Sequence, residues 1–335
     1  MIVNTSEASA VRLLRDAKVI SLSERVPAGF SPFAVVVVTY NSAAVLEGLL
    51  DSLPSGLAGA GDFTVYIVDN DSHDESLGIA EAHSVRPVVI RMGRNAGYAA
   101  GINAALAQLD PLADVLILNP DIRLHPGVGR ELRCRLQDRA IGVVVPKIMN
   151  DDGSLNRSLR RQPSVVTAWS DALFGSKVAA RFNLGEVVAD ATVYDRGGAA
   201  EWATGAILMI AGHARQLVGD WDESFFLYSE EVDYLERIRH SGLSVFYEPR
   251  AKAVHIGGDY QDNAFLSALM TRNRIRYYRR HHGALATALF RLSIIVGETM
   301  RFTLGRGHRA ALRAAIGPIE WSGVEGPAST RDLAV

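Results

Sequence analysis

The clearest pattern along the chain is a short apolar run that ends in polar residues, and this pattern recurs. The runs cover residues 34–41, 63–68, 85–90 and 114–118. A continuous apolar run with many β-branched residues is typical of a strand that helices cover on both faces of a parallel sheet. Apolar residues recur at helical spacing between Val45 and Leu53. The pattern therefore predicts four β–α repeats and an α/β fold, with a mostly parallel central sheet flanked by helices.

Polar residues and glycines follow each of these predicted strands. They are Thr39, Tyr40, Asn41, Asp69, Asn70, Asn95, Gly97, Asn103, Asn119 and Asp121. Taken singly, such residues often make turns or cap the next helix. The carboxyl ends of parallel strands, however, meet at one edge of a sheet, which is where α/β proteins bind ligands. Four such endings together favour a ligand site at that edge.

A cluster of acids lies later in the chain, where Glu230, Glu231 and Asp233 follow an aromatic run at residues 225–228. On a helix, Glu230 and Asp233 share a face and Glu231 points elsewhere. The next apolar strand leads to His255. Acids that meet a histidine suit a metal site or an acid–base pair. The alternative is purely structural: the helix dipole favours acidic side chains in the first turn, and the histidine makes its hydrogen bonds within the core.

Composition narrows the class of protein. The 335 residues are 48% hydrophobic, enough to bury a large core, and the formal net charge of −2 gives no sign of nucleic-acid binding. The one cysteine, Cys134, excludes an internal disulfide and fits a reducing cytosol. Residues 1–30 lack the apolar core of a signal peptide, and charges interrupt residues 284–304. We therefore expect a cytoplasmic protein.

The motifs, in their order, resemble glycosyltransferase family 2 over residues 33–282. The segments that carry the resemblance are residues 38–41, 68–70, 95–103, 119–121, 204–206, 222–228, 230–233 and 254–255. Within the family, the chain is most similar to bacterial rhamnosyltransferase-like members. The resemblance implies a GT-A fold, a nucleotide-diphospho-sugar donor, a divalent metal and inversion at the anomeric carbon.

The resemblance also implies which residues contact the donor. Asp69 would accept the N3–H of uracil or thymine, and Thr39 and Tyr40 would border the base and ribose. Amides that open the helix after Asn95 suit a phosphate or the sugar. The full set of expected donor contacts is Thr39, Tyr40, Asn41, Asp69, Asn95, Gly97, Asn103, Asn119 and Arg272.

Metal and catalytic residues follow from the same alignment of motifs. Asp121 stands in the family's Asp-x-Asp metal motif, where Asn119 replaces the first acid. His255 would add a nitrogen ligand, which makes Mn²⁺ as suitable as Mg²⁺. Glu231 aligns with the catalytic base, which is usually Asp, and Glu230 is the second candidate for that role.

We expect four regions along the chain. They are an N-terminal extension at 1–30, a nucleotide-sugar half at 31–150, an acceptor and catalytic half at 151–258, and a basic helical C-terminal extension at 259–335. Residues 151–200 look irregular and loop-rich, which suits acceptor binding. The C-terminal region suits either a packed helix with a solvated charged face or an amphipathic element on the anionic inner face of the plasma membrane.

Rhamnose from dTDP-rhamnose is the expected donor sugar, and a UDP-linked donor is the alternative. The expected acceptor is a polyprenyl-diphosphate-linked glycan, a growing surface polysaccharide or a soluble molecule. The sequence also leaves open whether the protein forms a homo-oligomer. Two other classes stay open. A nucleotidyltransferase would not need the later acids and histidine, and a non-catalytic sugar-nucleotide-binding protein would not need carboxylates at both 121 and 231. The glycine spacing is not that of a dinucleotide-binding oxidoreductase.

Overall fold

A computed structural model describes residues 30–257 and 263–318, and its framework is a nine-stranded sheet with a separate two-stranded one. The strands are β1 Phe33–Thr39, β2 Phe63–Asp69, β3 Val88–Arg91, β4 Val115–Leu118, β5 Ile122–Leu124, β6 Ile141–Asn150, β7 Leu159–Arg160, β8 Gly198–Ala200, β9 Trp202–Ala203, β10 Ile207–Ile210 and β11 Ser244–His255. The helices are α1 Ala43–Gly56, α2 Ser76–Ala82, α3 Tyr98–Leu106, α4 Val128–Leu136, α5 Val165–Phe174, α6 Ser176–Arg181, α7 Ala191–Arg196, α8 Gly212–Val218, α9 Glu230–His240, α10 Ala264–His281, α11 Ala284–Met300 and α12 Arg306–Ile316.

The large sheet has the strand order β3-β2-β1-β4-β10-β6-β11-β5, with β8 also paired to β11. Strand β1 runs parallel to β2 and β4, and β6 runs parallel to β11. Strand β10 is antiparallel to both of its neighbours, β4 and β6. The prediction of a mostly parallel α/β sheet flanked by helices is therefore confirmed.

The apolar patterns in the sequence fold as expected at the centre of the sheet. Every residue of β1 is buried, and α1 buries Leu46, Leu49, Leu50 and Leu53 at helical spacing. Strand β4 is also fully buried. These residues belong to one continuous hydrophobic core, which fixes the strand ends that carry the polar motifs.

Three local expectations differ from the structure. The fourth strand is followed not by a helix but by β5, which pairs antiparallel with the end of β11. Residues 151–200 are not mainly irregular, because α5, α6 and α7 lie within them. His255 is the last residue of β11 rather than a residue beyond it. The first difference matters for the site, since the β5–β11 pairing places Ile122 opposite His255.

The predicted helical C-terminal region is confirmed as α10, α11 and α12. Helix α11 buries Thr287, Phe290, Ser293 and Gly297 on its packed face. Its outer face carries Leu285, Leu289 and Leu292, which are 76%, 40% and 45% exposed. The helix therefore packs, but its outer face is apolar rather than charged. The extension predicted at residues 1–30 lies outside the described residues except for Phe30, and the region boundaries stay predictions.

Candidate active site

A cavity of about 630 Å³ opens at the carboxyl ends of the central strands, a volume within the range of small-molecule sites. The residues predicted from sequence that line it are Thr39, Tyr40, Asn95, Gly97, Asn119, Asp121, Glu231 and His255. Residues from strand ends therefore meet the start of α9 around one space. We call Asn119, Asp121 and His255 the strand-end wall, and Glu230 and Glu231 the helix-start wall.

The strand-end wall depends on the pairing of β5 with β11. The imidazole Nε2 of His255 lies 3.1 Å from Oδ2 of Asp121, a close contact that does not have the geometry of a hydrogen bond. Within the described part of the chain, neither carboxylate oxygen of the buried Asp121 has a hydrogen-bond partner. A Cβ on Gly257 would lie 1.9 Å from Oδ2 of Asp121, so a glycine here leaves space beside the carboxylate. A buried carboxylate with free lone pairs next to an imidazole fits a divalent cation.

The amide of Asn119 is used in a different way. Its Oδ1 accepts a hydrogen bond of 2.8 Å from the hydroxyl of Tyr98, and its backbone N–H donates to Ala206. Burial raises the pKa of Tyr98, and the charges of Glu230, Glu231 and Asp121 raise it further. The phenol therefore stays protonated, and its hydrogen bond fixes the position of the Asn119 side chain in the strand-end wall.

The helix-start wall depends on an unusual turn. Tyr228 and Ser229 have φ angles of 72° and 73°, in the left-handed region that residues other than glycine rarely adopt. The turn is held against α3, because Tyr98 donates its backbone N–H to the carbonyl of Phe226 at 2.8 Å. A Cβ on Gly97 would lie 2.4 Å from that carbonyl oxygen, so only glycine permits the contact. Backbone held in a rare conformation beside a cavity is common at functional sites.

The two glutamates of the wall have different environments. Glu230 is buried and Glu231 is half-buried, and each has an Oε2 atom without a hydrogen-bond partner among the described residues. Burial raises the pKa of Glu230 well above its ordinary value, and the charge of Glu231 adds to the effect. Burial also raises the pKa of Glu231, but its backbone hydrogen bonds and Arg160 oppose that rise. Arg160 and the backbone hydrogen bonds therefore favour the ionised form of Glu231.

The helix face that Glu230 and Asp233 are predicted to share does not determine which acids reach the cavity. Both glutamates line it, whereas Asp233 does not. The Asp233 carboxylate instead contacts Arg237 at 2.9 Å and His281 at 3.0 Å. The reason is that α9 begins at Glu230. Glu230 and Glu231 are the first two residues of the helix, whereas Asp233 lies almost one turn further along it.

Four predicted donor contacts do not line the cavity. The Asn41 side chain accepts a hydrogen bond from the backbone of His73 at 2.8 Å, and Asn103 bonds to both backbone polar groups of Trp221. Asp69 accepts from Thr39 and from the backbone of Ser72, at 3.4 and 3.2 Å. Arg272 is a half-buried residue of α10. Their roles in donor binding stay predictions, and Asn70, next to Asp69, is the residue of its motif that lines the cavity.

Several cavity residues were not singled out as donor or catalytic residues from sequence. Arg160 comes from β7 and Arg274 from α10, where it forms an ion pair with Glu186. The sequence shows that both residues are basic, but no fixed spacing connects them to the motifs that follow the strands. Apolar residues also line the cavity, namely Trp202, Phe226, Leu266, Met270 and Phe290, and the last three come from the C-terminal helices. Among the described residues, none of the helices has the length and apolar character needed to cross a membrane.

Comparison with known proteins gives consistent results. The family model described as Glycosyl transferase family 2 matches residues 34–201. The N-acetylglucosaminyl-diphospho-decaprenol L-rhamnosyltransferase of Mycobacterium tuberculosis is 29% identical over 236 residues, covering 66% of this chain and 75% of the relative. The low-salt glycan biosynthesis hexosyltransferase Agl10 of Haloferax volcanii is 27% identical over 226 residues, covering 66% of each chain.

Solved structures are similar in fold. The mannosyltransferase PcManGT from Pyrobaculum calidifontis, solved with GDP-Man and Mn²⁺, has a TM-score of 0.51 at 15% identity and covers 93% of this chain and 79% of its own. GalNAc-T7, solved with UDP, GalNAc and Mn²⁺, has a TM-score of 0.53 at 17% identity, covering 74% of this chain and 47% of its own. These likenesses concern the fold alone, and they confirm the predicted GT-A fold.

Proposed function

The chain belongs to glycosyltransferase family 2 and is a glycosyltransferase, and from this premise we propose that it moves a sugar from a nucleotide-diphospho-sugar to a hydroxyl of a lipid-linked glycan. The observation that carries the proposal is the meeting of the strand-end wall and the helix-start wall in one cavity. The leading donor is dTDP-rhamnose, supported by the identity to a rhamnosyltransferase, and UDP-sugars are the alternative.

The strand-end wall is proposed to hold the donor diphosphate. Asp121 and His255 offer an oxygen and a nitrogen ligand for Mg²⁺ or Mn²⁺, and both neighbouring structures named above contain Mn²⁺. Such an ion, when bound, neutralises charge on the departing diphosphate. Asn119 adds no charge, so the site has fewer anionic ligands than one with two acids.

The helix-start wall is proposed to activate the acceptor. Glu231, as the carboxylate, accepts the proton of the acceptor hydroxyl while the oxygen of that hydroxyl bonds to the anomeric carbon. The bond from that carbon to the diphosphate oxygen breaks on the opposite face, which inverts the configuration. Burial raises the pKa of both glutamates, and Arg160 together with the backbone hydrogen bonds favours the ionised form of Glu231, which supports Glu231 as the proposed base.

The apolar side of the cavity is proposed to receive the lipid end of the acceptor. Leu266 and Met270 of α10 and Phe290 of α11 lie there. The relative with the highest identity given above is named for a decaprenol-linked acceptor. A soluble sugar acceptor would gain nothing from such a lining, because apolar surface favours a hydrocarbon chain.

The test is a matrix of donors and acceptors, with release of nucleoside diphosphate as the readout. dTDP-rhamnose, UDP-GlcNAc, UDP-galactose and GDP-mannose would each be incubated with a GlcNAc-diphospho-polyprenol or with free GlcNAc, with Mn²⁺ and with EDTA. We expect release from dTDP-rhamnose that needs both the lipid acceptor and the ion. Turnover of another donor would overturn the sugar assignment, and equal turnover of free GlcNAc would overturn the lipid assignment.

We also propose that the outer face of α11 contacts the membrane that holds this acceptor. Leu285, Leu289 and Leu292 are spaced at i, i+4 and i+7 and are exposed together. Arg306, Arg309 and Arg313 on the neighbouring α12 could attract anionic headgroups.

The membrane proposal is tested by co-sedimentation with anionic and with neutral vesicles. Replacing the three leucines by Gln should release the protein from anionic vesicles. Leu112→Gln, at another residue that is 60% exposed, is the matched control and should bind as the wild type does. Equal binding by all three proteins would show that this face does not contact the bilayer.

A further inference from the structure

A second group of possible metal ligands lies at the other end of α9, away from the cavity. Glu236 and His240 are one turn apart on α9, and His281 ends α10. One ligand atom from each of these three residues lies within 4.8 Å of the others. None of the three lines the cavity of the proposed active site.

The orientation of His281 is fixed by its neighbours. Its Nε2 lies 3.0 Å from Oδ1 of Asp233, and its Nδ1 lies 3.5 Å from Oε2 of Glu236. In the tautomer in which Nε2 of His281 donates this hydrogen bond to Asp233, the lone pair that a metal ion needs is on Nδ1.

The Nδ1 atom then faces a second carboxylate. When Nε2 carries the only ring hydrogen, Nδ1 presents a lone pair toward the oxygen of Glu236, and two acceptors do not attract each other. A metal ion placed between these two groups would be bound by both. His240 adds a third ligand atom, because its Nε2 lies 3.8 Å from Oε1 of Glu236.

We propose that Glu236, His240 and His281 bind a zinc ion that joins the end of α9 to the end of α10. Two imidazole nitrogens and one carboxylate are a known ligand set for zinc, with a fourth position for water. Ligand atoms around tetrahedral zinc are roughly 3.3 Å apart, which follows from bonds of about 2.0–2.2 Å. The Nε2 atom of His240 lies 3.8 Å from Oε1 of Glu236, and one ligand atom from each of the three residues lies within 4.8 Å of the others, so the side chains must move closer by about 1 Å to reach this spacing.

The residues around the three ligands support them as zinc sites require. Asp233 receives the N–H of His281, the arrangement that orients a zinc-binding histidine. The hydroxyl of Tyr277 donates to Oε2 of Glu236 and leaves Oε1 for the metal. The His240 side chain is 68% exposed, so an ion can enter from solvent and the ring can move onto it.

The site would have a mechanical consequence. Helix α9 begins with the helix-start wall, and α10 contributes Leu266, Met270 and Arg274 to the same cavity. Zinc at their far ends would hold these two helices together, and Tyr277 connects the proposed site to the cavity, because it lines the cavity and its hydroxyl donates to Glu236. The proposal concerns metal binding and stability and stands apart from the proposed reaction.

The test uses the full-length protein, treated with EDTA, dialysed, and titrated with Zn²⁺ in a calorimeter with excess Mg²⁺ present. Mg²⁺ prefers oxygen ligands and would compete poorly for two imidazoles. We expect the wild type to bind one zinc ion more than His240→Ala does. At a zinc concentration 100 times Kd, the melting temperature of the wild type should rise by about 5 °C, and that of His240→Ala should not.

The matched control is His308→Ala. His308 also contacts a carboxylate, with Nδ1 2.8 Å from Oε2 of Glu298, but it has one imidazole partner fewer than the proposed site. It should bind zinc as the wild type does. Asp233→Asn should weaken zinc binding by about 10–100-fold, because it disturbs the orientation of His281. Equal zinc stoichiometry and melting response in wild type and His240→Ala would overturn the site.

Discussion

The two acidic walls of the cavity use the same kind of side chain in different ways. In the strand-end wall, Asp121 stands beside the imidazole of His255 and neither of its oxygens is used in a hydrogen bond within the described residues. In the helix-start wall, Glu230 and Glu231 stand beside each other, and burial raises both pKa values. A lone carboxylate next to a nitrogen ligand suits a cation, whereas a coupled pair of carboxyls suits the transfer of a proton. The environment, rather than the residue type, separates the two roles.

The largest effect should come from Glu231→Gln, which keeps the shape of the side chain and removes its capacity to take a proton. We expect kcat to fall by about 10²–10⁴-fold, the usual contribution of a general base. The affinity for donor and metal should stay nearly constant, since the base acts only in the transition state. Steady-state rates and donor titrations measure the two quantities separately.

Glu230→Gln and Asp233→Asn are the controls for this prediction. Both should retain more activity than Glu231→Gln. Loss of activity in Glu230→Gln with retention in Glu231→Gln would reverse the assignment within the pair. If none of the three substitutions changed turnover, the helix-start wall would have no part in the chemistry.

Substitutions in the strand-end wall should weaken donor binding as well as turnover, unlike Glu231→Gln. Asp121→Asn and His255→Ala should each weaken metal-dependent donor binding by about 100-fold, the upper end of the effect of disturbing a metal site. Turnover should fall with it. Calorimetric titration of the donor with Mn²⁺ and with EDTA measures the difference. Unchanged binding in both variants would separate this wall from the diphosphate.

A smaller effect tests whether Asp69 reads the base from beside the cavity. A hydrogen bond from the N3–H of uracil or thymine to a carboxylate contributes roughly 1.5–3 kcal/mol. We expect UDP and dTDP to bind about ten- to a hundredfold more tightly than CDP and GDP, with a matching rise in melting temperature. Equal stabilisation by all four nucleotides would mean that the two hydrogen bonds to Asp69 are its whole role.

The smallest effect concerns stability. The folded-state pKa of Glu230 lies above its ordinary value of 4.5, so the folded chain binds more protons than the unfolded chain once the pH exceeds that value. Unfolding free energy is then lost as the pH rises, by up to about 1.4 kcal/mol per unit, until the folded-state pKa is passed. Glu230→Gln removes this loss.

The measurement is a pair of thermal melts without nucleotide. At pH 8, Glu230→Gln should melt a few degrees above the wild type, and at pH 4 the two should coincide. The same melts of Glu231→Gln should show a smaller gain, because Arg160 already favours its charged form. A lower melting temperature for Glu230→Gln at pH 8 would contradict the picture of a buried, unpaired carboxyl.

Much of the architecture could be predicted from local pattern. The apolar run of β1 and the periodic leucines of α1 specify a buried strand and its covering helix, because burial of each depends mainly on its own side chains. The same pattern predicts that strand ends converge, and eight of the predicted site residues indeed line one cavity. The order of the motifs along the chain is enough by itself to indicate the family.

Spacing alone could not tell which acid faces the cavity. The sequence by itself determined that carboxylates would gather at the strand ends and at the start of one helix. Only the tertiary structure decided their use: the turn at Tyr228 and Ser229 sets where α9 begins, and the β5–β11 pairing brings His255 to Asp121. In the folded protein the Asn103 side chain bonds to the backbone of Trp221 instead of lining the cavity. Arg160 and Arg274, which come from distant segments, do line it. The physical reason is that helix starts, strand registers and long-range contacts depend on packing between elements, whereas a strand or a helix is encoded within its own few residues.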